Sequence, residues 1–157
     1  MTAVLVRCTL LAVLLTVNAA PSFACSCVGP FPEEWMTQAS LVFRGRVTRT
    51  RRLDSRVELG GRPHSHAGLE VTFRVLERFK GPAVATYVVV YGECVAEEGS
   101  GAECIDMCSQ ATDLRGEWVV FAYPGRVQSP ATDDCSAFAV DSDARAAFSL
   151  RQLRARR

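Results

Sequence analysis

The chain has 157 residues, and its 18 basic and 17 acidic side chains give it a net charge of +1. So balanced a charge creates no overall field that would attract nucleic acid or an anionic membrane, and we expect neither as an electrostatic partner. The length suits a single domain with one core.

The first 24 residues have the pattern of a secretory signal peptide. Arg7 supplies a positive charge, residues 8–17 form a ten-residue apolar run, and Ser22 and Ala24 place small residues at a cleavage site. The run is shorter than the roughly 20 residues of a membrane-spanning helix. We therefore expect a secreted protein, extracellular or periplasmic, whose single mature domain comprises residues 25–157.

A lipoprotein signal would also make Cys25 the first residue of the mature chain. Ser22, however, stands where such signals favour a branched aliphatic residue, so the sequence favours cleavage without lipidation. A membrane is expected as a partner only if Cys25 is lipidated.

Six cysteines remain in the mature chain. An even number in an exported protein predicts three disulfides, although fifteen pairings are possible. A structural zinc site is the alternative, but it would use three cysteines and leave an odd number. The six cysteines of the mature chain are Cys25, Cys27, Cys94, Cys104, Cys108 and Cys135.

The first half of the mature chain predicts one short helix and three strands. Pro32 and the acidic residues after it suit a first helical turn, so we expect a helix that reaches about Gln38 and turns Trp35 towards the core. Apolar and polar residues alternate throughout residues 69–79, the second of these strands. The strands are predicted at 41–47, with a bulge or bend at Gly45, at 69–79 and at 85–91.

Residues 48–67 are polar and rich in arginine and glycine, which predicts a long hairpin loop or extended, frayed strand ends. His64 and His66 lie in this segment without a third ligand nearby. We therefore expect them in a solvated loop and not in a metal site.

The second half of the mature chain begins with a predicted disulfide-stapled loop over residues 92–115. Strands follow at 117–123 and at about 135–140, and a helix is predicted over residues 144–153, with Ala147, Phe148 and Leu150 as its apolar positions. Together the elements predict a mainly β protein, a small barrel or sandwich with two short helices. A five-stranded, partly open barrel of the oligonucleotide/oligosaccharide-binding type fits the number of strands.

Five motifs are spread over essentially the whole mature chain. They are Cys25-Ser26-Cys27-Val28-x-Pro30, the strand 39–47, Phe79-Lys80-Gly81, Cys108 shortly before the strand 116–122, and Asp134-Cys135-Ser136-x-Phe138. In sequence and spacing they resemble the tissue inhibitors of metalloproteinases and the wider netrin-like modules, which include small exported bacterial relatives.

The resemblance implies the disulfides Cys25–Cys108 and Cys27–Cys135, with Cys94–Cys104 as the third. The chain departs from the vertebrate inhibitors in two respects. It lacks their further cysteine soon after the amino terminus, since none lies between Cys27 and Cys94, and we expect it to be without their second, carboxy-terminal domain.

The resemblance also implies a function, that of a secreted metalloendopeptidase inhibitor. The amine and carbonyl of Cys25 would chelate the catalytic zinc of the target protease, at the position that such zinc sites keep open. Ser26 would enter the specificity pocket beside the zinc. The protein would be a monomer with no cofactor and no metal of its own. The implied contact ridge comprises Ser26, Cys27, Val28, Asp106 and Met107.

Two other classes of function are open to the same sequence. The cysteines would also serve merely to staple the amino terminus onto a non-inhibitory, exported protein-binding module of the cell envelope. An enzyme is not expected, because Cys104-x-x-x-Cys108 does not have the spacing of a Cys-x-x-Cys redox pair and no nucleophile elbow is present.

Overall fold

The computed structural model describes residues 33–100, 114–127, 129–133 and 135–156. None of its described helices is long and apolar enough to cross a membrane. In chain order the elements are α1 (Glu33–Gln38), β1 (Leu41–Leu59), β2 (Arg62–Lys80), β3 (Thr86–Glu97), β4 (Glu117–Pro124), β5 (Pro130–Thr132), β6 (Ala137–Ala139) and α2 (Ala144–Ala155).

Five of the strands close into a mixed barrel. β1 pairs with β2 and β2 with β3, both antiparallel, while β3 pairs in parallel with β5. The ring closes because β5 pairs with β4, and β4 returns to β1. β6 adds a sixth strand to β4. The mainly β, five-stranded barrel with one helix before it and one after it is therefore confirmed, and it is closed, whereas the sequence predicted a partly open one.

The surroundings of β1 change at Val47. β4 pairs only with residues 41–46 of β1, whereas β2 accompanies β1 as far as Leu59. Beyond the barrel, β1 continues as residues 48–59 beside residues 62–68 of β2. Residues 94–97 of β3 pair with the far side of this segment of β2. We call these three segments the ribbon.

Two predictions were made for residues 48–67, a long hairpin loop or extended strand ends. The loop prediction is wrong, because the segment belongs to the extended strands of the ribbon. Gly60 and Gly61 connect β1 to β2 with φ angles of 61° and 75°. Two successive residues with positive φ form the type of two-residue turn that follows the twist of a hairpin, and glycine adopts it without steric cost. The sequence predicted a bulge or bend at Gly45, and the register shift between Arg44 and Gly45 confirms an irregularity of this kind.

The core has two parts. Inside the barrel, the ring of Phe43 lies 5.4 Å from that of Phe73 and 4.8 Å from that of Tyr87. The second part lies on the outer side of β4, where Phe121 packs against β6 and both helices. β4 is thus buried on both faces, as its nearly continuous apolar sequence predicts. In α2 the buried positions are Ala146, Ser149, Leu150 and Leu153. Of the three apolar positions named from the sequence, Leu150 is buried, Phe148 is half-buried and Ala147 is exposed.

Candidate functional site

Most of the predicted inhibitory residues lie outside the described residues, and their roles stay predictions. Two of the six cysteines are described, and both Cys94 and Cys135 are disulfide-bonded. The predicted pairings of both involve cysteines outside the described ranges. The residues outside those ranges are Cys25, Ser26, Cys27, Val28, Cys104, Asp106, Met107 and Cys108.

Cys135 lies in a tightly hydrogen-bonded turn between β5 and β6. The Oδ1 atom of Asp133 accepts hydrogen bonds from the backbone N–H of Cys135 at 2.9 Å and from the hydroxyl of Ser136 at 2.7 Å. The buried hydroxyls of Ser136 and Thr132 lie 2.9 Å apart, and that of Thr132 donates to the carbonyl of Phe121 at 3.1 Å. The turn that carries Cys135 is therefore anchored to β4 through Thr132, and its buried hydroxyl groups are satisfied.

α1 is attached to the same part of the barrel through Trp35. Its ring stacks on Phe138 at 5.6 Å and meets Phe121 edge-on at 5.5 Å. Aromatic contacts of this kind contribute about 0.5–1.5 kcal/mol beyond the area they bury. The prediction that Trp35 faces the core is confirmed.

Lys80, at the end of β2, holds the other end of α1. Its Nζ atom donates hydrogen bonds to the carbonyl oxygens of Met36 at 2.7 Å and Thr37 at 3.1 Å. The last carbonyls of a helix have no partner within the helix and carry a partial negative charge, so an ammonium group is a favourable cap. The sequence analysis noted Lys80 only as part of a turn motif and missed this contact, for which the sequence gives no local signal.

Tyr123 on β4 lies near both α1 and the turn that carries Cys135. Burial, together with the negative charges of Asp133 and Glu34, raises the pKa of Tyr123 to about 12. The phenol is therefore uncharged at neutral pH. Because Asp133 belongs to the Cys135 turn and Glu34 to α1, both elements lie near Tyr123. We call α1 together with the turn 132–136 the platform.

Cys94 lies on β3, next to a buried carboxylate. The side chain of Glu93 is 6% exposed, as is that of His66, whose Nε2 atom lies 3.2 Å from Glu93 Oε1. The carboxylate also accepts hydrogen bonds from the backbone N–H groups of Arg126 at 2.7 Å and Val127 at 3.3 Å. Glu93 thus ties the connection between β4 and β5 to the strand that carries Cys94.

The prediction of a solvated loop for the two histidines is wrong. His66 is buried on β2, and the half-buried His64 places its Nδ1 atom 2.9 Å from the carbonyl oxygen of Arg62. The sequence could not reveal the His66 contact, because its partner Glu93 lies 27 positions later. Within the part of the chain that the structure describes, no three His, Cys, Asp or Glu side chains gather in a way that would hold a metal ion.

The comparisons with known proteins add no relative. A scan against protein-family models and a search of curated proteins each give no match to this chain. The barrel therefore rests on the structure, and the family resemblance rests on the motifs alone.

Proposed function

We propose that this protein is a secreted inhibitor of zinc metalloendopeptidases that binds the catalytic zinc of its target through the amine and carbonyl of Cys25. The observation that carries the proposal is the sequence Cys25-Ser26-Cys27 at the predicted signal cleavage site. A cleaved signal would leave this tripeptide as the start of the mature chain. A closed barrel with a disulfide-bonded Cys135 in the turn between β5 and β6 supports the proposal.

The chemistry requires that Cys25 be the first residue. A catalytic zinc keeps one coordination position open for water or substrate. The α-amino nitrogen and the carbonyl oxygen of one residue form a five-membered chelate ring with a metal, provided that the amine has lost its proton. Because the ordinary pKa of an α-amino group is about 7.7–8.0, zinc displaces this proton at little cost near neutral pH.

Preorganisation is the second requirement, and the platform supports it. Cys27 precedes Glu33 by six positions, which span at most about 20 Å in a fully extended chain. The proposed disulfide between Cys27 and Cys135 would tie the start of the mature chain to the platform, whose helix α1 is held on the barrel by Trp35 and Lys80. A segment that is already ordered loses little conformational entropy on binding, so more of its contact energy appears as affinity.

Specificity is assigned to the neighbouring residues. In the proposed complex Ser26 enters the pocket beside the zinc, and its small side chain favours tolerance of several target proteases. Val28 and the segment Asp106-Met107 extend the contact, with Cys27 as the second anchor. No peptide bond precedes Cys25 in the mature chain, so the bound terminus resembles a product and offers the protease no bond to cleave.

The test compares two forms of the oxidised protein, one beginning at Cys25 and one with a single alanine before it. Both are titrated against zinc endopeptidases of several families. We expect tight inhibition by the first form and none by the second, because the added residue converts the amine into an amide and displaces the chelating pair. An alanine added after Arg157 is the matched control and leaves inhibition intact.

Absence of inhibition by every form across the panel would overturn the proposal. The alternative of a non-inhibitory exported protein-binding module would then be preferred. Inhibition that survives the amino-terminal alanine would also overturn the chelate, although not an inhibitory role of another surface.

A further inference from the structure

The ribbon leaves one edge of β1 without a neighbouring strand in the described part of the chain. β4 covers this edge only as far as Arg46, so residues 48–59 pair with β2 alone. An unpaired edge presents a row of backbone N–H and C=O groups that can pair with another strand. Along this edge exposed and half-buried residues alternate, with Arg52, Asp54, Arg56 and Glu58 exposed and Leu53, Ser55, Val57 and Leu59 half-buried.

The exposed charges on this edge form few ion pairs within the described part of the chain. Among the described residues Arg52, Asp54 and Glu58 form no ion pair, and the β2 residues opposite them are the uncharged Leu69, Ala67 and Pro63. Arg56 contacts Glu98 at 2.8 Å, but the two side chains are 83% and 34% exposed. Exposed ion pairs of this kind contribute little to stability.

We propose that a second copy of this chain docks on this edge, so that the two β1 strands pair antiparallel about a two-fold axis at Ser55. In this register Arg52 lies opposite Glu58 of the partner copy, and Asp54 lies opposite its Arg56. The symmetry repeats both contacts, which gives four ion pairs on one face of the sheet. On the other face Leu53 lies opposite Val57. Cross-strand pairs of opposite charge and of apolar residues stabilise antiparallel sheets.

The order of the charges selects this register. Side chains directly opposite each other must lie on the same face of a sheet, so the allowed axis positions along one strand are whole residues. An axis at Asp54 would place Arg52 opposite Arg56 of the other copy. An axis at Arg56 would place Asp54 opposite Glu58. Both neighbouring registers oppose like charges, which destabilises strand pairing.

Charged residues on an edge strand can either prevent or favour pairing with a second copy, and the signs of the charges decide which. Charges of one sign repel a second copy of the same edge. Here the signs alternate as Arg52, Asp54, Arg56 and Glu58, so the edge attracts its own copy, and the register centred on Ser55 forms the most ion pairs. Such an interface is isologous, because the same residues contribute from both sides, and it closes at two copies.

The dimer would contain a continuous six-stranded sheet in the order β3-β2-β1-β1-β2-β3. Over residues 51–59 the new ladder would contain about eight to ten backbone hydrogen bonds, two for each hydrogen-bonded pair. The ribbon uses residues 62–68 of β2, while Lys80, which contacts the platform, stands at the opposite end of that strand. Docking therefore leaves both platforms free, and the dimer would present two of them.

The sequence analysis expects a monomer, and sedimentation velocity of the oxidised chain beginning at Cys25 decides between the two. We expect the protein to dimerise reversibly as its concentration increases. Arg52→Glu and Glu58→Arg, each alone, replace two attractive contacts with two repulsive ones and should weaken the dimer about tenfold or more. Neither residue has an ion-pair partner within the described chain, so neither variant removes one there.

The decisive measurement mixes the two variants in equal amounts. In a mixed dimer each introduced charge meets the opposite charge introduced on the other copy, and Arg52 of one variant meets Glu58 of the other. The mixture should therefore dimerise more tightly than either variant alone, which also shows that both variants are folded. Arg74→Glu, a charge reversal at an exposed residue of β2 away from this edge, should leave dimerisation unchanged.

A protein that stays monomeric up to millimolar concentration overturns the proposal. So does a dimer that tolerates both charge reversals, or a mixture that dimerises no more tightly than either variant alone. None of these outcomes depends on protease inhibition, so the dimer and the proposed inhibitory function are tested separately.

Discussion

The barrel and the ribbon share strands, but the residues of β1 differ in burial between the two regions. Of its six residues between β2 and β4, Leu41–Arg46, four are buried, whereas none of residues 48–59 is buried where β2 is the one neighbouring strand described. The extended backbone is common to both regions. The comparison shows that burial in this protein comes from the elements packed around a strand, the other barrel strands on one side and the helices on the other, and not from strand formation itself.

The largest expected effect tests this difference directly. Phe43→Ala removes a fully buried ring from the barrel and should lower the free energy of unfolding by about 3–5 kcal/mol. Val57→Ala, a matched truncation of a half-buried ribbon residue, should cost less than about 1 kcal/mol in dilute protein. Unfolding in denaturant, followed by circular dichroism, measures both. Equal losses would show that the ribbon contributes a core of its own.

A smaller effect is expected at the junction of the two regions, where β3 leaves the barrel. Glu93→Gln removes the negative charge that accepts hydrogen bonds from the backbone of Arg126 and Val127 and should cost about 1.5–3 kcal/mol. Amide hydrogen exchange at residues 126 and 127 should also become faster. Glu97→Gln is the control, since its contact with Arg62 is exposed and contributes about 0–1 kcal/mol. Equal losses in the two variants would contradict a buried anchor at Glu93.

The smallest effect belongs to the helical cover of the barrel, for which the described part of the ribbon has no counterpart. Asp143 caps α2 by accepting a hydrogen bond from the backbone N–H of Arg145 at 2.8 Å. Asp143→Ala should cost about 1 kcal/mol near neutral pH. Asp141→Ala, at an exposed residue outside the cap, is the control.

The effect of Asp143→Ala should also depend on pH. A hydrogen bond from the Arg145 side chain lowers the pKa of Asp143 in the folded protein. A carboxyl group with a lowered folded pKa stabilises the protein above its unfolded pKa, about 3.9, and loses this contribution as the pH falls through the folded value. The difference in unfolding free energy between the two proteins should therefore shrink below about pH 4. A difference that stays constant to pH 2 would assign the cap to backbone effects.

The sequence predicted those parts of the fold that have a local periodic pattern. The alternation over residues 69–79 and the apolar run over 117–123 marked β2 and β4, and both helices lie close to their predicted positions. The ribbon was partly missed because arginine and glycine dominate residues 48–67. An edge strand with few buried residues has the polar composition of a loop. Its regular pattern is the alternation of positive and negative charge from Arg52 to Glu58.

Other parts depend on contacts that no local pattern contains. β5 has three residues, begins with Pro130, and owes its existence to pairing with β3 and β4. At the candidate site, the Asp133-x-x-Ser136 spacing is a recognisable turn signal around Cys135. The contacts of Lys80 with α1 and of Glu93 with His66 join distant parts of the chain, so the sequence alone could not reveal them.

Lys80 is the only lysine in the chain, and its contact with α1 makes the protein unusually simple to label. A mature chain beginning at Cys25 would have two primary amines, and one of them is occupied by the carbonyls of Met36 and Thr37. The other, at the terminus, has an ordinary pKa of about 7.7–8.0, well below the 10.4 of a lysine. An amine-selective acylating reagent used near pH 7 would therefore mark the first residue, so that one tag both identifies where the mature chain begins and consumes the nitrogen proposed to bind zinc.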